Sequence, residues 1–234
     1  MSNVQCQVSN YCGTWWTILL RPIYFYSRLK EESWQKDATS FALITAWLIG
    51  FITSVIIFVL HYIPIGSTLT EKVAGLKFIF ITPVLCMLAL VFFLMTFMII
   101  SGLLVIGIFA SMLGVGCFLH YAYTKMGGKG SLNRMFQCML YSSAVLPVAS
   151  LVLLFTLFTK YGGMDFSLFR GGYNFFYLLS LIYFYGLWAI AGRKVYGVSK
   201  WQAFAGAVIP ALVLLIFGLM FDKIMLARLQ PWIS

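Results

Sequence analysis

The side chains able to do chemistry are few: His61, His120, five cysteines, and a basic, glycine-rich loop from Lys125 to Arg134. His61 precedes Tyr62 at the end of an apolar run, and His120 lies about two helical turns before Gly127. Neither has carboxylates at the spacing that a metal site or a general base needs. HExxH, GxSxG and phosphate-loop patterns are missing. Both histidines are expected to be hydrogen-bonding residues near the ends of apolar segments. Cys86, Cys117 and Cys138 fall in apolar runs, where a thiol acts as a small hydrophobe. Cys6 and Cys12 match no zinc spacing; a disulfide between them and two free thiols are both open, the free thiols being favoured. No catalysis, metal or cofactor is expected.

The loop is the remaining motif. Lys125, Lys129 and Arg134 end a run of 47 residues, Phe78 to Thr124, that has no Asp, Glu, Lys or Arg. Gly127, Gly128, Gly130 and Ser131 stop a helix here, because each glycine costs about 1 kcal/mol in a helix interior. The stretch is too short for a Walker A loop. Two readings stand: backbone N–H groups forming a nest for an anion such as a lipid phosphate, or a tight turn holding the cations at headgroup level. The turn is favoured.

The elements that must position this loop follow from composition. The chain is 62% hydrophobic and 9% charged, where soluble domains hold roughly 25% charge. All charged residues lie outside five windows: Ala38–Thr70, Phe78–Thr124, Met135–Thr159, Gly171–Gly192 and Trp201–Phe221. Each reaches the ~20 residues that span a hydrocarbon core. The expected fold is all-α, a polytopic transmembrane helical bundle of five spans, with six as the alternative. The net charge of +10 is spread over short loops, as the positive-inside rule places it, and lacks the contiguous basic face of a nucleic-acid binder.

Along the chain, residues 1–14 are polar and read as a flexible N-terminal segment without the features of a signal peptide. Residues 15–37 place Trp15, Trp16, Leu19, Leu20, Ile23, Tyr26 and Leu29 at helical spacing opposite Arg28, Glu31, Glu32 and Lys36. This is expected to be an interfacial amphipathic helix, with Pro22 in a first turn or at a kink. Residues 38–234 form the transmembrane domain, with spans near Ser40–Tyr62, Phe136–Phe158, Tyr173–Ala191 and Ala203–Leu226.

Phe78–Thr124 would measure roughly 70 Å as one helix, so a break is expected at Pro83, Ser101-Gly102 or Gly107. That segment then crosses twice, or crosses once after a re-entrant or tilted piece. Five crossings put ten of the sixteen Lys and Arg on the side of the N-terminus, the 125–134 loop and the 193–200 loop, whereas six crossings split them eight to eight. Five, with a cytosolic N-terminus, is preferred.

Pro147 and Pro210 sit inside apolar runs, where proline frees a carbonyl that a neighbour must satisfy. Gly107 with Ser111, Ala110 with Gly114, and Ala203, Gly206 and Ala207 would allow close helix approach. Tyr173, Phe175, Phe176, Tyr177, Tyr183, Phe184 and Tyr185 read as an aromatic binding surface or as lipid and interface packing, the second favoured.

Several of these residues together resemble the Yip-domain family, the Rab-interacting type of integral membrane protein and its prokaryotic relatives. Arg21-Pro22 followed by aromatics is similar to that family's N-terminal segment. His120 with Gly127-Gly128, then Tyr141-Ser-Ser-Ala144 and Pro147, is similar to its central signature. Val195-Tyr-Gly-Val-Ser199, Ala203 and Ile209-Pro210 resemble its last two spans and the loop between them. Phe78–Gly102 is more apolar than that pattern. The resemblance implies five spans, a cytosolic N-terminus and a role without catalysis. The short N-terminus looks like prokaryotic members, so the Rab binding of eukaryotic relatives is not carried over.

The expected function is a non-enzymatic, multi-pass cell-membrane scaffold or accessory protein. Its expected partners are membrane lipids and a second copy or another membrane protein, not nucleic acid. The candidate surface is Lys125, Gly127, Gly128, Lys129, Gly130 and Arg134, with Pro22, His120, Tyr141, Pro147 and Pro210 as signature residues. The alternative is a carrier or channel for an uncharged or lipid-like substrate. A third reading is a lipid-organising protein using residues 15–37.

Overall fold

A run without charge has one low-energy form in hydrocarbon, a helix that satisfies its own backbone. The computed structural model describes residues 2–29, 36–71, 76–163 and 165–233, and these are helical apart from short connections. Five helices are long and apolar enough to cross a membrane: Asp37–Thr68, Ile79–Lys125, Leu132–Tyr161, Phe166–Val195 and Lys200–Leu226. The chain is a polytopic transmembrane bundle.

The first segment is α1 (Ser2–Leu20), which a kink at Arg21 separates from α2 (Pro22–Arg28). Residues 2–14, expected to be loose, are the opening turns of α1. Pro22 sits in the first turn of α2, where its missing N–H costs nothing. One face of this pair is exposed through Trp16, Leu20 and Ile23. The other face is docked into the bundle: Ile18 and Tyr26 are fully buried, the Tyr26 hydroxyl donates to the Cys138 carbonyl at 3.2 Å, and the Tyr183 hydroxyl donates to the Leu19 carbonyl. Glu31 and Glu32 of the expected polar face lie outside the described residues.

The first span does not close at Ile63-Pro64. α3 (Asp37–Ile57) passes through a π-helical turn (Phe58–Tyr62) into α4 (Ile63–Glu71). Pro64 explains the turn's one awkward group. Ile63 donates to the Phe58 carbonyl in the wide register. The next bond of that register would need an N–H on Pro64, which has none. The stranded Val59 carbonyl instead accepts from the Tyr161 hydroxyl at 2.9 Å.

The expected break in Phe78–Thr124 is absent. α5 (Leu76–Lys125) is one helix of 50 residues, continuous through Pro83, Ser101-Gly102 and Gly107. Local penalties are ~1 kcal/mol per glycine and ~3 for proline. Ending a helix in hydrocarbon instead strands backbone groups at several kcal/mol each. Continuity wins. α5 packs on α3 in its middle portion, through edge-to-face contacts of Phe51 with Phe93 and Phe97 and through Gly50, which leaves room for Ser101.

The third span bends. α6 (Leu132–Ser142) runs through a 3₁₀ turn (Ser143–Val145) into α7 (Leu146–Ser150) and then α8 (Val152–Tyr161). α9 (Phe166–Val195) and α10 (Lys200–Met220) form an antiparallel pair, followed by a second π-helical turn (Phe221–Leu226) and α11 (Ala227–Ile233). The main core lies toward the α5–α6 loop and includes Leu119, Tyr123, Met135, Met139, Leu187 and Trp188. Phe169 and Leu226 form a small cluster elsewhere. Arg170 and Asp222 join α9 to the second π turn by a two-pronged ion pair, Nε to Oδ1 at 2.7 Å and Nη2 to Oδ2 at 2.5 Å.

Candidate functional site

The basic loop is held by a helix-ending motif. Gly127 adopts φ +89°, a left-handed conformation that glycine takes without strain. Its N–H donates to the Thr124 carbonyl at 3.0 Å, and the Gly128 N–H reaches back to Tyr123 at 2.9 Å. Lys129 N–H donates across the gap to the Tyr196 carbonyl at 3.2 Å. Three successive amides are therefore occupied. These three amides are not free to bind an anion, which supports the tight-turn reading over the anion nest. Ser131 then caps α6, its hydroxyl accepting from Arg134 N–H at 3.4 Å.

Tyr196 is the residue around which the loop is built. Gly128 and Gly130 lie so close to it that a Cβ at either position would come within 2.8 Å of its side chain. The His120 Nδ1 and the Tyr196 hydroxyl are 2.5 Å apart, and that hydroxyl also lies 3.3 Å from the Ser131 carbonyl. Burial pushes the Tyr196 hydroxyl above its ordinary pKa. Beneath it Tyr123 is fully buried, donating to the carbonyls of Trp188 at 3.1 Å and Ala203 at 2.9 Å. Gly192 and Gly206 flank its ring where a Cβ would overlap it.

The neighbouring α9–α10 connection docks on the same loop. Ser199 and Gln202 form a capping box at the start of α10, and the Gln202 amide also donates to the Met126 carbonyl at 3.3 Å. Arg134 Nη2 donates to the Leu29 carbonyl at 3.3 Å, bringing in the end of α2. The segments grouped on one side by charge arithmetic thus meet at one end of the bundle. Around them Lys125, Lys129, Arg193, Lys194 and Lys200 are exposed, Lys125 lying over the Tyr121 ring at 5.6 Å. The result is a rim of cations on a rigid tyrosine-centred base.

The other signature residues lie elsewhere. Tyr141 is buried with its ring 5.0 Å from Phe25 and 5.4 Å from Phe41, joining α2, α3 and α6. Pro147 follows the 3₁₀ turn, and the carbonyl it leaves without a partner is filled from α1. Leu146 donates to Ser143 in the tight register, the next donor would be Pro147, and the stranded Ala144 carbonyl accepts from the Trp15 indole at 2.8 Å. Pro210 is buried within α10, apart from both groups.

The aromatic cluster on α9 also finds its place. The hydroxyls of Tyr177, Tyr183 and Tyr185 donate to backbone carbonyls of Leu214, Leu19 and Phe204. These side chains are struts between helices, which supports the packing reading over a binding surface. Cys12, Cys86, Cys117 and Cys138 are free thiols. Sequence reasoning missed the central roles of Tyr123 and Tyr196; the signal was glycine at Gly192 and Gly206 inside apolar runs.

No curated protein and no solved structure matches the chain. The Yip1 domain matches residues 16–221, nearly the whole chain. That range holds the loop, its tyrosine base, the first four spans and most of the fifth, and the protein belongs to the Yip1 domain family.

Proposed function

We propose that this protein is a non-enzymatic membrane accessory protein that assembles with a second copy or another membrane protein through α5. Its basic rim would lie at the cytosolic headgroups of the cell membrane, on the same side as the N-terminus. The observation that carries the reading is an exposed stripe on α5. Leu103, Gly107, Ala110, Gly114, Cys117 and Tyr121 recur at steps of three and four residues, and all are exposed. A Cβ at Gly107 or Gly114 would meet nothing within 4 Å. In α10, by contrast, Ala203, Gly206 and Ala207 are buried against neighbours. Small residues at four-residue spacing let backbones approach closely, and the packing they permit is what drives helix association in lipid.

Affinity purification in a mild detergent tests this. The natural sequence should recover a second copy or a defined membrane protein, and Gly107→Leu with Gly114→Leu should lose it while the protein stays folded. Purification of the natural protein alone, with no associate, contradicts the reading.

A further inference from the structure

A recess of about 290 Å³ lies between α2 and α6, with Thr17 of α1 at its edge. Tyr24 and Arg28 line it from α2 and are exposed, whereas Gln137 and Tyr141 line it from α6 and are buried. Leu29 belongs to the same wall, and its carbonyl is held by Arg134, so the recess sits at the end of the bundle that carries the cation rim. Gln137 is only 4% exposed. Its carboxamide oxygen is enclosed without a partner. The carboxamide nitrogen makes no hydrogen bond among the described residues either, but it is not enclosed, and the surface Gln137 keeps opens on this recess. The Arg28 guanidinium lies 4.3 Å from the centre of the Tyr24 ring. It has no carboxylate partner among the described residues, whose one ion pair is Arg170 with Asp222. No described residue lining the recess is acidic; Asp37 lines a neighbouring one.

A cation and an amide N–H group with nothing to donate to are complementary to oxygens that carry negative charge. One guanidinium without a counter-carboxylate matches a monoanion. A buried carboxamide left unpaired is a standing cost to the fold, which a ligand accepting from it reduces. A cavity of ~150 Å³ already accommodates benzene, so this one has room for a phosphate and its substituents. We propose that the recess binds a phosphodiester monoanion, its oxygens held by the Arg28 guanidinium and the Gln137 amide. The lining supplies no carboxylate for a headgroup amine, so an anionic headgroup is preferred to a zwitterionic one. The site is independent of the assembly role assigned to α5.

The test titrates the delipidated full chain, in a non-ionic detergent, with dioleoyl phosphatidylglycerol and counts bound lipid by native mass spectrometry. One phosphatidylglycerol should bind saturably, and phosphatidylcholine with the same acyl chains about tenfold more weakly. Arg28→Gln should weaken phosphatidylglycerol binding about tenfold, the scale of one charge-assisted hydrogen bond. Arg21→Gln, at an exposed cation outside the recess, should leave it unchanged. Gln137→Met should weaken binding severalfold, yet leave the unfolding midpoint of the lipid-free protein unchanged or higher, because an unpaired buried amide gives way to an apolar chain of similar length. Displacement of the lipid by glycerophosphoglycerol identifies a soluble phosphodiester as a sufficient ligand; resistance to it identifies the membrane lipid as the source. Equal binding of the two lipids, equal losses in Arg21→Gln and Arg28→Gln, or binding indifferent to both Arg28→Gln and Gln137→Met would overturn the proposal.

Discussion

The Trp15 indole donates its N–H to the Ala144 carbonyl, 129 positions away, and fills a vacancy that Pro147 creates. The kink in the third span and the docking of α1 are therefore one arrangement. Trp15→Phe should cost about 1–3 kcal/mol, the penalty for a buried acceptor left without a donor. Trp16→Phe, at an exposed neighbour, should fall within about 0.5 kcal/mol of the natural protein. Pro147→Ala supplies a backbone N–H, so in its presence Trp15→Phe should cost less. Thermal unfolding in detergent of the natural protein, Trp15→Phe, Pro147→Ala and their double variant measures that coupling.

The glycines of the bundle divide by what surrounds them. A Cβ at Gly206 would come 2.5 Å from Tyr123 Cε1, and that ring is pinned by two carbonyls. Gly206→Ala should destabilise by about 1–3 kcal/mol through overpacking. Gly114 faces open space, and Gly114→Ala should be neutral or stabilising by up to about 1 kcal/mol, since it removes the glycine penalty within a helix. The same unfolding experiment separates the two, and equal effects would count against the assigned packing.

Much of this architecture was legible from where charge is absent. Asp37, Lys77, Arg134, Arg170 and Lys200 bracket the spans because an unpaired charge in hydrocarbon is costly. The meeting of the 125–134 loop with Val195–Ser199 was legible only as two segments on one side. The residue joining them, Tyr196, acts through contacts with His120, Gly128 and Gly130 that no local spacing reveals. The sequence predicts a break in α5 because glycine and proline penalties are local, whereas the larger cost of ending a helix in lipid is not visible at any one residue. Local spacing makes Trp15 an interfacial aromatic, since its acceptor exists only where Pro147 disturbs a distant helix.

Alkaline pH should weaken the tyrosine-centred end. Burial raises the hydroxyl pKa of both Tyr26 and Tyr196. Their contribution is complete below the ordinary tyrosine value of about 10. Above it the unfolded chain releases protons that the folded chain keeps, so stability falls as pH rises. Unfolding midpoints between about pH 8 and 11 should decline less steeply in the double variant Tyr26→Phe, Tyr196→Phe than in the natural protein. Identical slopes would mean that these hydroxyls are not sequestered.

The central claim is that five crossings bring the 125–134 loop and the 193–200 loop to one face and the α8–α9 connection to the other. Cysteine accessibility in sealed vesicles measures it directly, using Lys129→Cys, Lys200→Cys and Lys160→Cys singly in a background without the natural cysteines. The account predicts that an impermeant thiol reagent reaches Lys129→Cys and Lys200→Cys from the same side and Lys160→Cys from the opposite side. Labelling of Lys129→Cys and Lys200→Cys from opposite sides would contradict it.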